Sequence, residues 1–280
     1  MVEHNKTVYY IPDGKDVKEG LLRTTDLCIA AHQDDIEIMA YGPIVDCYGQ
    51  EGKWFTGVVV TDGAGSPRSG VYEQYTDEEM KEVRVEEQKS AALIGKYAAQ
   101  IFMAQKSSDV KNPNNTELIH KIRDLILECA PKVLYTHNLA DKHDTHVGVT
   151  LNVLRALKLI EPEKRPEKLI SLEVWRSLDW LCDEDKTVFD TSGHPNVSAA
   201  ILGVFDSQIA GGKRYDLASV GRRLANATYF ASHDVDATDS LSFGLDITEL
   251  MNGDITPAEC IGKYIARFET DVQKRLAALS

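Results

Sequence analysis

Two short clusters of histidine and carboxylate residues carry the chemistry that this sequence could perform. The first cluster, His32-Gln33-Asp34-Asp35-Ile36-Glu37, directly follows an apolar run at residues 27–31 that reads as a buried strand. The second, His143-Asp144-Thr145-His146, lies more than a hundred residues later and follows another strand-like run. Burying so much charge at the end of a strand is costly unless the charges are paired or bound to a metal. We therefore interpret the clusters as two halves of one metal site.

The spacing within the clusters indicates which side chains could bind the metal. A hydrolytic zinc site has three nitrogen or oxygen ligands and one position left for water. His32 and Asp35 are three residues apart, so a turn that opens a helix places them on one side, and His146 would supply the third ligand. Asp34 then points elsewhere and can accept a proton from water, while His143 lies beside the metal. An H-x-x-D pair is by itself also typical of a helix cap.

The elements that must position these clusters alternate between strands and helices through the first 175 residues. The pattern predicts strands at residues 27–31, 54–61, 98–103, 132–137 and 169–175, and helices at 77–95, 115–130 and 147–160. Gly42-Pro43 is expected to interrupt the helix after the first strand. This alternation predicts an α/β fold: a Rossmann-like, mostly parallel sheet with helices on both faces. Ligands bind beyond the carboxyl ends of such strands, where both clusters lie.

The remaining 105 or so residues show a looser pattern. Helices are expected at residues 215–229 and 257–279, with an acidic stretch at 233–246 between them. We interpret residues 1–280 as a single domain, in which residues 1–175 form the sheet core with the metal site. Residues 176–280 would be a C-terminal extension that shapes the substrate side.

Composition excludes several classes of partner. The 31 basic and 44 acidic residues give a net charge of −13, which argues against nucleic acid or an anionic membrane as the main partner. No run of about 18 apolar residues is present, and the amino terminus lacks the regions of a signal peptide, so we expect a cytoplasmic protein without a membrane span. The five scattered cysteines form no C-x-x-C pair, so any metal must use nitrogen and oxygen ligands. The sequence leaves open whether the protein forms a homo-oligomer.

The first cluster also carries a resemblance to a known family. The segment AHQDDIE resembles the A-H-P-D-D-x-E signature of the LmbE/PIG-L family, zinc-dependent N-deacetylases that act on N-acetylglucosamine-type substrates. Arg84-x-x-Glu87 resembles the R-x-x-E of its helix, residues 141–146 resemble its D-x-H-P-D-H segment, and Ser207-Gln208-Ile209 resembles its S-Q-I. The resemblance covers roughly residues 25–230.

The resemblance implies a role for each matching residue. His32, Asp35 and His146 would bind Zn²⁺, with another divalent metal such as Fe²⁺ as the alternative. Asp34 would be the general base, and His143 would stabilise the oxyanion. Arg84 would help to hold the sugar, although Arg84 and Glu87 are also typical of an ion pair on a helix surface. All these residues are present in the sequence.

Three other features leave alternatives open. Gln33 stands where the family has proline, and Thr145 stands where it has the aspartate that orients the preceding histidine, His143. Asp62, followed by glycines at 63 and 65, would contact the substrate or form a tight turn. Glu37 would brace the first loop or support a ligand.

Together these features predict a zinc-dependent hydrolase that deacetylates an N-acetylated amino sugar or glycoconjugate of the N-acetylglucosamine type. Water activated by the metal would attack the amide carbonyl. Two histidines and a carboxylate also bind ferrous iron in oxygenases, so another metal-dependent enzyme is the first alternative. The second is a non-catalytic sugar- or nucleotide-binding Rossmann-like module, which only Thr145 favours. The sequence does not determine which N-acyl sugar is the substrate.

Overall fold

A computed structural model of the protein describes residues 5–66 and 68–280. The strands within these ranges form one mixed sheet of eight strands. They are β1 Val8–Tyr10, β2 Asp26–Ala30, β3 Phe55–Thr61, β4 Ala99–Gln105, β5 Val133–His137, β6 Lys168–Leu172, β7 Thr187–Asp190 and β8 Leu241–Asp246. The predicted α/β fold with a mostly parallel sheet is confirmed.

The order of the strands determines where the site lies. Across the sheet the order is β1-β4-β3-β2-β5-β6-β8-β7, and the five strands from β4 to β6 in this order are parallel. From β2 the chain adds β3 and β4 on one side and then crosses to add β5 and β6 on the other. In register, Ile29 of β2 lies beside Val58 of β3 and Thr136 of β5. The carboxyl ends of β2 and β5 therefore flank the point where the strand order reverses, which is the usual ligand position in such sheets.

Helices surround the sheet. Within the described residues they are α1 Val17–Leu22, α2 Asp35–Met39, α3 Tyr41–Cys47, α4 Asp77–Ile94, α5 Ser107–Lys111, α6 Thr116–Cys129, α7 Asp144–Lys158, α8 Pro195–Gly203, α9 Asp206–Ile209, α10 Tyr215–Tyr229, α11 Glu249–Asn252 and α12 Pro257–Leu279. Helix α4 begins with a capping box, in which Thr76 and Glu79 exchange hydrogen bonds. No helix is long and apolar enough to cross a membrane in the part of the chain that the structure describes.

Two apolar layers cover the faces of the sheet. Strand residues alternate between them: Leu27 and Ile29 pack with the apolar sides of α6 and α7, while Cys28 and Ala30 pack with α3, α4 and α8. The apolar runs of the sequence thus encode strands that are buried on both faces, as parallel strands require.

The structure also differs from the sequence-based expectations at several elements. The interruption expected at Gly42-Pro43 is present and divides the segment into α2 and α3 at Ala40. It is reinforced by close packing, because a Cβ added at Gly42 would lie 2.5 Å from Cβ of Phe189. Helix α7 begins at Asp144 and not at residue 147, since the side chain of His143 caps it. Strands β1, β7 and β8 were not predicted, and β8 lies within the acidic stretch at 233–246.

Candidate active site

The loop between β2 and α2 is a sharp turn with a strained backbone at Asp34. Its φ of 92° lies in a region that residues with a side chain rarely adopt. The turn is held from α4, where the Gln88 side chain accepts a hydrogen bond from the Asp34 N–H at 3.2 Å. This conformation separates the side chains of Asp34 and Asp35, so that adjacent carboxylates have different neighbours.

The three residues that the sequence predicts as metal ligands lie together. The distances are 3.1 Å from His32 Nδ1 to Asp35 Oδ2, 3.2 Å from His32 Nδ1 to His146 Nε2, and 3.3 Å from His146 Nε2 to Asp35 Oδ2. Ligands bound tetrahedrally at about 2.0–2.1 Å lie about 3.3–3.4 Å from each other. Two imidazole nitrogens and a carboxylate oxygen with this spacing fit a divalent transition metal ion.

His137 offers an alternative ligand, because its Nε2 lies 3.4 Å from Asp35 Oδ2 and it groups with Asp35 and His146. However, Nε2 of His137 accepts a hydrogen bond from the Ala31 N–H at 2.8 Å. The ring is fully buried and stacks on His146 with 3.9 Å between the centroids. Since its lone pair is already used, His137 braces β2 against β5.

Asp141 orients His146 and was not assigned a role from the sequence. Its Oδ1 lies 3.3 Å from His146 Nδ1 and accepts the His143 N–H at 3.0 Å, while Oδ2 accepts the Val174 N–H at 3.3 Å. A carboxylate behind a histidine fixes the ring and raises its basicity as a ligand. The signal that could have revealed it was the first aspartate of the D-x-H segment.

Electrostatics distinguish the two carboxylates of the loop. Burial opposes ionisation of Asp35, but the charges and hydrogen bonds of His146 and His32 outweigh it and hold the pKa of Asp35 well below its usual range. Burial raises the pKa of Asp34 to about 7, against the opposing charge of Arg84. Burial also disfavours a charge on His146, but Asp35 and Asp141 raise the pKa of His146 to about 10. A metal ion held by this cluster would therefore compete with the proton on His146.

Arg84 belongs to the site and not to the helix surface. Its side chain is 1% exposed, and its Nη2 lies 3.5 Å from Asp34 Oδ2 and donates to the Gln33 carbonyl. With its amide oxygen turned toward Arg84, Gln208 accepts hydrogen bonds from both terminal guanidinium nitrogens. The alternative of a surface ion pair with Glu87 is wrong. Arg84 holds the Asp34 turn from behind.

Two neighbours of Arg84 on α4 tie the turn and the C-terminal part of the chain to this helix. The Gln88 amide donates to Glu37 at 2.8 Å, and the Tyr97 hydroxyl donates to Glu37 at 2.7 Å. Burial raises the pKa of Glu37 to about 8 despite these bonds. Glu87 accepts hydrogen bonds from the Ser207 N–H and hydroxyl, both at 2.7 Å. The expected bracing role of Glu37 agrees with these contacts, whereas Gln88 was missed.

Thr145, at the position where the resemblance leads us to expect aspartate, contacts His143 through its backbone. Nδ1 of His143 accepts the Thr145 N–H at 3.2 Å. A neutral ring in this position carries its proton on Nε2. Burial lowers the pKa of His143, which favours the neutral ring. The His143 ring centroid lies 5.0 Å from that of His32, so His143 is beside the ligand cluster as predicted.

The cluster opens into a cavity of about 390 Å³, which we call the inner cavity. Its lining includes Asp34, Arg84 and His143 from the earlier part of the chain, and Trp175, Lys213 and Tyr215 from the later part. Asp62 also lines it, but its carboxylate accepts the Ala64 N–H at 3.2 Å and lies 3.4 Å from Lys81 Nζ. The structure thus places Asp62 both in a tight turn and at the cavity wall, and both interpretations stand.

Comparison with known proteins identifies the domain that holds this cluster. The family model PIG-L, described as GlcNAc-PI de-N-acetylase, matches residues 27–157. These residues include His32, Asp35 and His146. Residues 27–157 are thus similar to a PIG-L (LmbE-like) family domain. The match supports an enzyme of the deacetylase class, an amide hydrolase.

The similarity of the protein to solved structures extends beyond residues 27–157. N,N'-diacetylchitobiose deacetylase from Pyrococcus horikoshii has a TM-score of 0.65 at 13% identity, covering 82% of this chain and 86% of the other. A conserved protein from Thermus thermophilus has a TM-score of 0.63 at 18% identity, with 80% and 94% covered. A 4-carboxy-2-hydroxymuconate hydratase from Pseudomonas putida has 0.61 at 17%, with 80% and 96% covered. A search of curated proteins found no match. Likenesses at these identities show the fold alone, and the hydratase shows that this fold supports more than one reaction.

Proposed function

We propose that the protein is a metal-dependent hydrolase that removes the acetyl group from an N-acetylated amino sugar or glycoconjugate of the N-acetylglucosamine type. The observation that carries the proposal is the convergence of His32, Asp35 and His146 at 3.1–3.3 Å beside the buried carboxylate of Asp34. The match of this segment to a de-N-acetylase family supports it.

The donor set favours Zn²⁺ and also accepts Fe²⁺, because imidazole and carboxylate are ligands of both. When bound, such an ion polarises the amide carbonyl and lowers the pKa of water. Asp34 takes the proton of the attacking water, and Arg84 and Gln88 hold its turn in the required conformation. The Nε2–H of His143 donates a hydrogen bond to the oxygen on which negative charge develops. The amine leaves with a proton that passes through Asp34.

The C-terminal part of the chain would supply substrate contacts. Trp175 and Tyr215 both line the inner cavity, with 6.1 Å between their ring centroids, and an aromatic face suits a sugar ring. We accordingly propose that residues 176–280 extend a single domain and shape the substrate side. A cytoplasmic location stays a prediction from composition.

The experiment that tests the function is release of free amine from a panel of N-acetylglucosamine conjugates. The metal-free protein is assayed after adding back Zn²⁺, Fe²⁺ or nothing, and a chelator is added as the control. We expect amine release that requires metal and does not require oxygen. Oxygen-dependent turnover would support the ferrous oxygenase alternative. A protein that binds sugar equally well with and without metal, and that releases no amine, would indicate a non-catalytic module.

A further inference from the structure

A second cavity shares one lining residue with the inner cavity. Its volume is about 450 Å³, and Trp175 lines both. We call it the outer cavity; its wall includes the aromatic residues Trp175, Trp180 and Phe268 and the basic residues Lys142, Arg176 and Arg222. Only Lys142 lies within the PIG-L domain. This wall is thus built by the C-terminal part of the chain.

The charge of the outer cavity is opposite to that of the protein. The net charge of the chain is −13, yet three residues of this wall are basic and one, Asp179, is acidic. Among the described residues, no carboxylate lies within ion-pair distance of Arg176 or Lys142, although the charge of Arg176 lowers the pKa of the nearby Glu173 against the larger raising effect of burial. In the inner cavity, by contrast, the charge of Arg84 is paired with Asp34. A wall with three basic residues and one acidic residue in an acidic protein suits a negatively charged ligand.

Arg222 and Trp180 are held in place. Nη1 of Arg222 donates to the carbonyls of Val174 and Arg176 at 2.6 and 3.2 Å. Both of these bonds use the same terminal nitrogen of the guanidinium group. Nε1 of Trp180 donates to Glu173 at 2.9 Å. The Glu173 carboxylate also accepts the Leu178 N–H at 2.7 Å, so it is turned toward these donors. A fixed guanidinium beside fixed aromatic rings loses little entropy when a ligand binds.

We propose that the outer cavity binds an anionic group, a carboxylate or a phosphate, that the substrate carries on an apolar or aromatic portion attached to its N-acetylated sugar. This inference rests on the proposed function, because it places the acetamide in the inner cavity and the rest of the conjugate beyond Trp175. The planar fork of arginine matches carboxylate and phosphate oxygens. Aromatic walls favour an apolar or ring-shaped linker.

The test compares aryl glycosides of N-acetylglucosamine that differ only in charge. The para-carboxyphenyl and para-phosphonophenyl glycosides are anionic, and the para-carbamoylphenyl glycoside is their neutral match; both anomers are used. We expect kcat/KM to be about tenfold higher for at least one anionic substrate than for the neutral one, which is the worth of one charge-assisted hydrogen bond. Comparing the two anions distinguishes a carboxylate from a phosphate ligand.

Variants assign the preference to the outer cavity. Arg176→Gln and Lys142→Gln should each reduce the ratio of anionic to neutral kcat/KM severalfold, and the double variant should bring it near one. Lys168→Gln removes the same charge at the amino end of β6, on the opposite edge of the sheet, and should leave the ratio unchanged. A ratio near one in the wild-type protein, or an equal loss in Lys168→Gln, would overturn the proposal.

Binding of the same glycosides, measured by calorimetry, tests the anionic subsite independently of the proposed deacetylation. If no glycoside is deacetylated but the anionic ones bind more tightly, and Arg176→Gln removes the difference, the outer cavity is supported and the reaction is not. If deacetylation is observed without any preference in turnover or binding, the reaction stands and the anionic subsite is rejected.

Discussion

The two sides of the active-site cleft are built in opposite ways. On the catalytic side, Asp34, Arg84 and Gln88 are buried, and each is hydrogen bonded to another part of the molecule. On the C-terminal side, Arg176 and Lys213 are exposed and present their charge to the cleft. The comparison teaches that the geometry of the reaction is fixed by buried contacts, whereas substrate contacts lie on a surface that tolerates change.

The buried side also stabilises a conformation that the local sequence disfavours. A φ of 92° at Asp34 carries backbone strain of the order of 1–3 kcal/mol. The hydrogen bonds from the Asp34 N–H to Gln88 and from Arg84 to the Gln33 carbonyl offset it. Both partners lie on α4, so this helix determines where the general base points.

Among the variants, those that remove a metal ligand should have the largest effect on activity. We expect His146→Ala to lose its bound metal and all metal-dependent activity, since the remaining His32 and Asp35 bind an ion weakly. Asp141→Asn should weaken metal affinity by about 10–100-fold, because it only supports His146. Metal content by elemental analysis and activity on the best glycoside are the measurements.

His143→Ala is the matched control, since His143 is the neighbouring histidine on the same segment. It should retain its metal and lose turnover. Loss of the metal in His143→Ala would instead favour the second grouping of nitrogens in this region, His32, His143 and His146, which lie within 4.8 Å of each other.

Replacement of the general base should have the next largest effect. Asp34→Asn keeps the size of the side chain but cannot accept the proton, so turnover should fall by at least about a hundredfold while metal stays bound. The control is Asp13→Asn, which changes a carboxylate outside this cavity that pairs with Arg23. Retained turnover in Asp34→Asn, or an equal loss in both variants, would remove Asp34 from the mechanism.

The parts of the fold that local patterns encode could be predicted from the sequence. Continuous apolar runs predicted the parallel strands, and the helices predicted at residues 77–95 and 115–130 are present as α4 and α6. Strand β8 was missed because acidic residues surround it, although Leu241, Phe243 and Leu245 alternate and face the core. Its antiparallel pairing with β6 depends on contacts between Ile170–Leu172 and residues 244–246 that no local window contains.

The same distinction applies to the site. The residues in compact motifs, His32, Asp35 and His146, could be named because their types and spacing are typical of metal ligands. Gln88 could not, since a glutamine on a helix has no distinctive pattern and its contact with Asp34 spans 54 residues. The contact of Thr145 with His143 could not be predicted either, because it is made by the backbone N–H of Thr145.

The smallest expected effect concerns Glu87, which joins the two sides by holding Ser207 against α4. Burial raises the pKa of Glu87 above its usual value, against the lowering effect of its bonds from Ser207. The folded state therefore favours the protonated form, and this stabilisation is present at low pH and is lost as pH rises through the folded pKa.

Glu87→Gln, which is neutral at every pH, should unfold at a temperature equal to or roughly 2 °C above that of the wild type at pH 8. At pH 5 this difference should shrink, because the wild type regains the protonated carboxyl. Thermal unfolding with saturating metal measures both values, and Glu86→Gln on the exposed side of the same helix turn is the control. A loss of several degrees at both pH values would show instead that the ionised carboxylate holds Ser207, and that the link between the two sides depends on its charge.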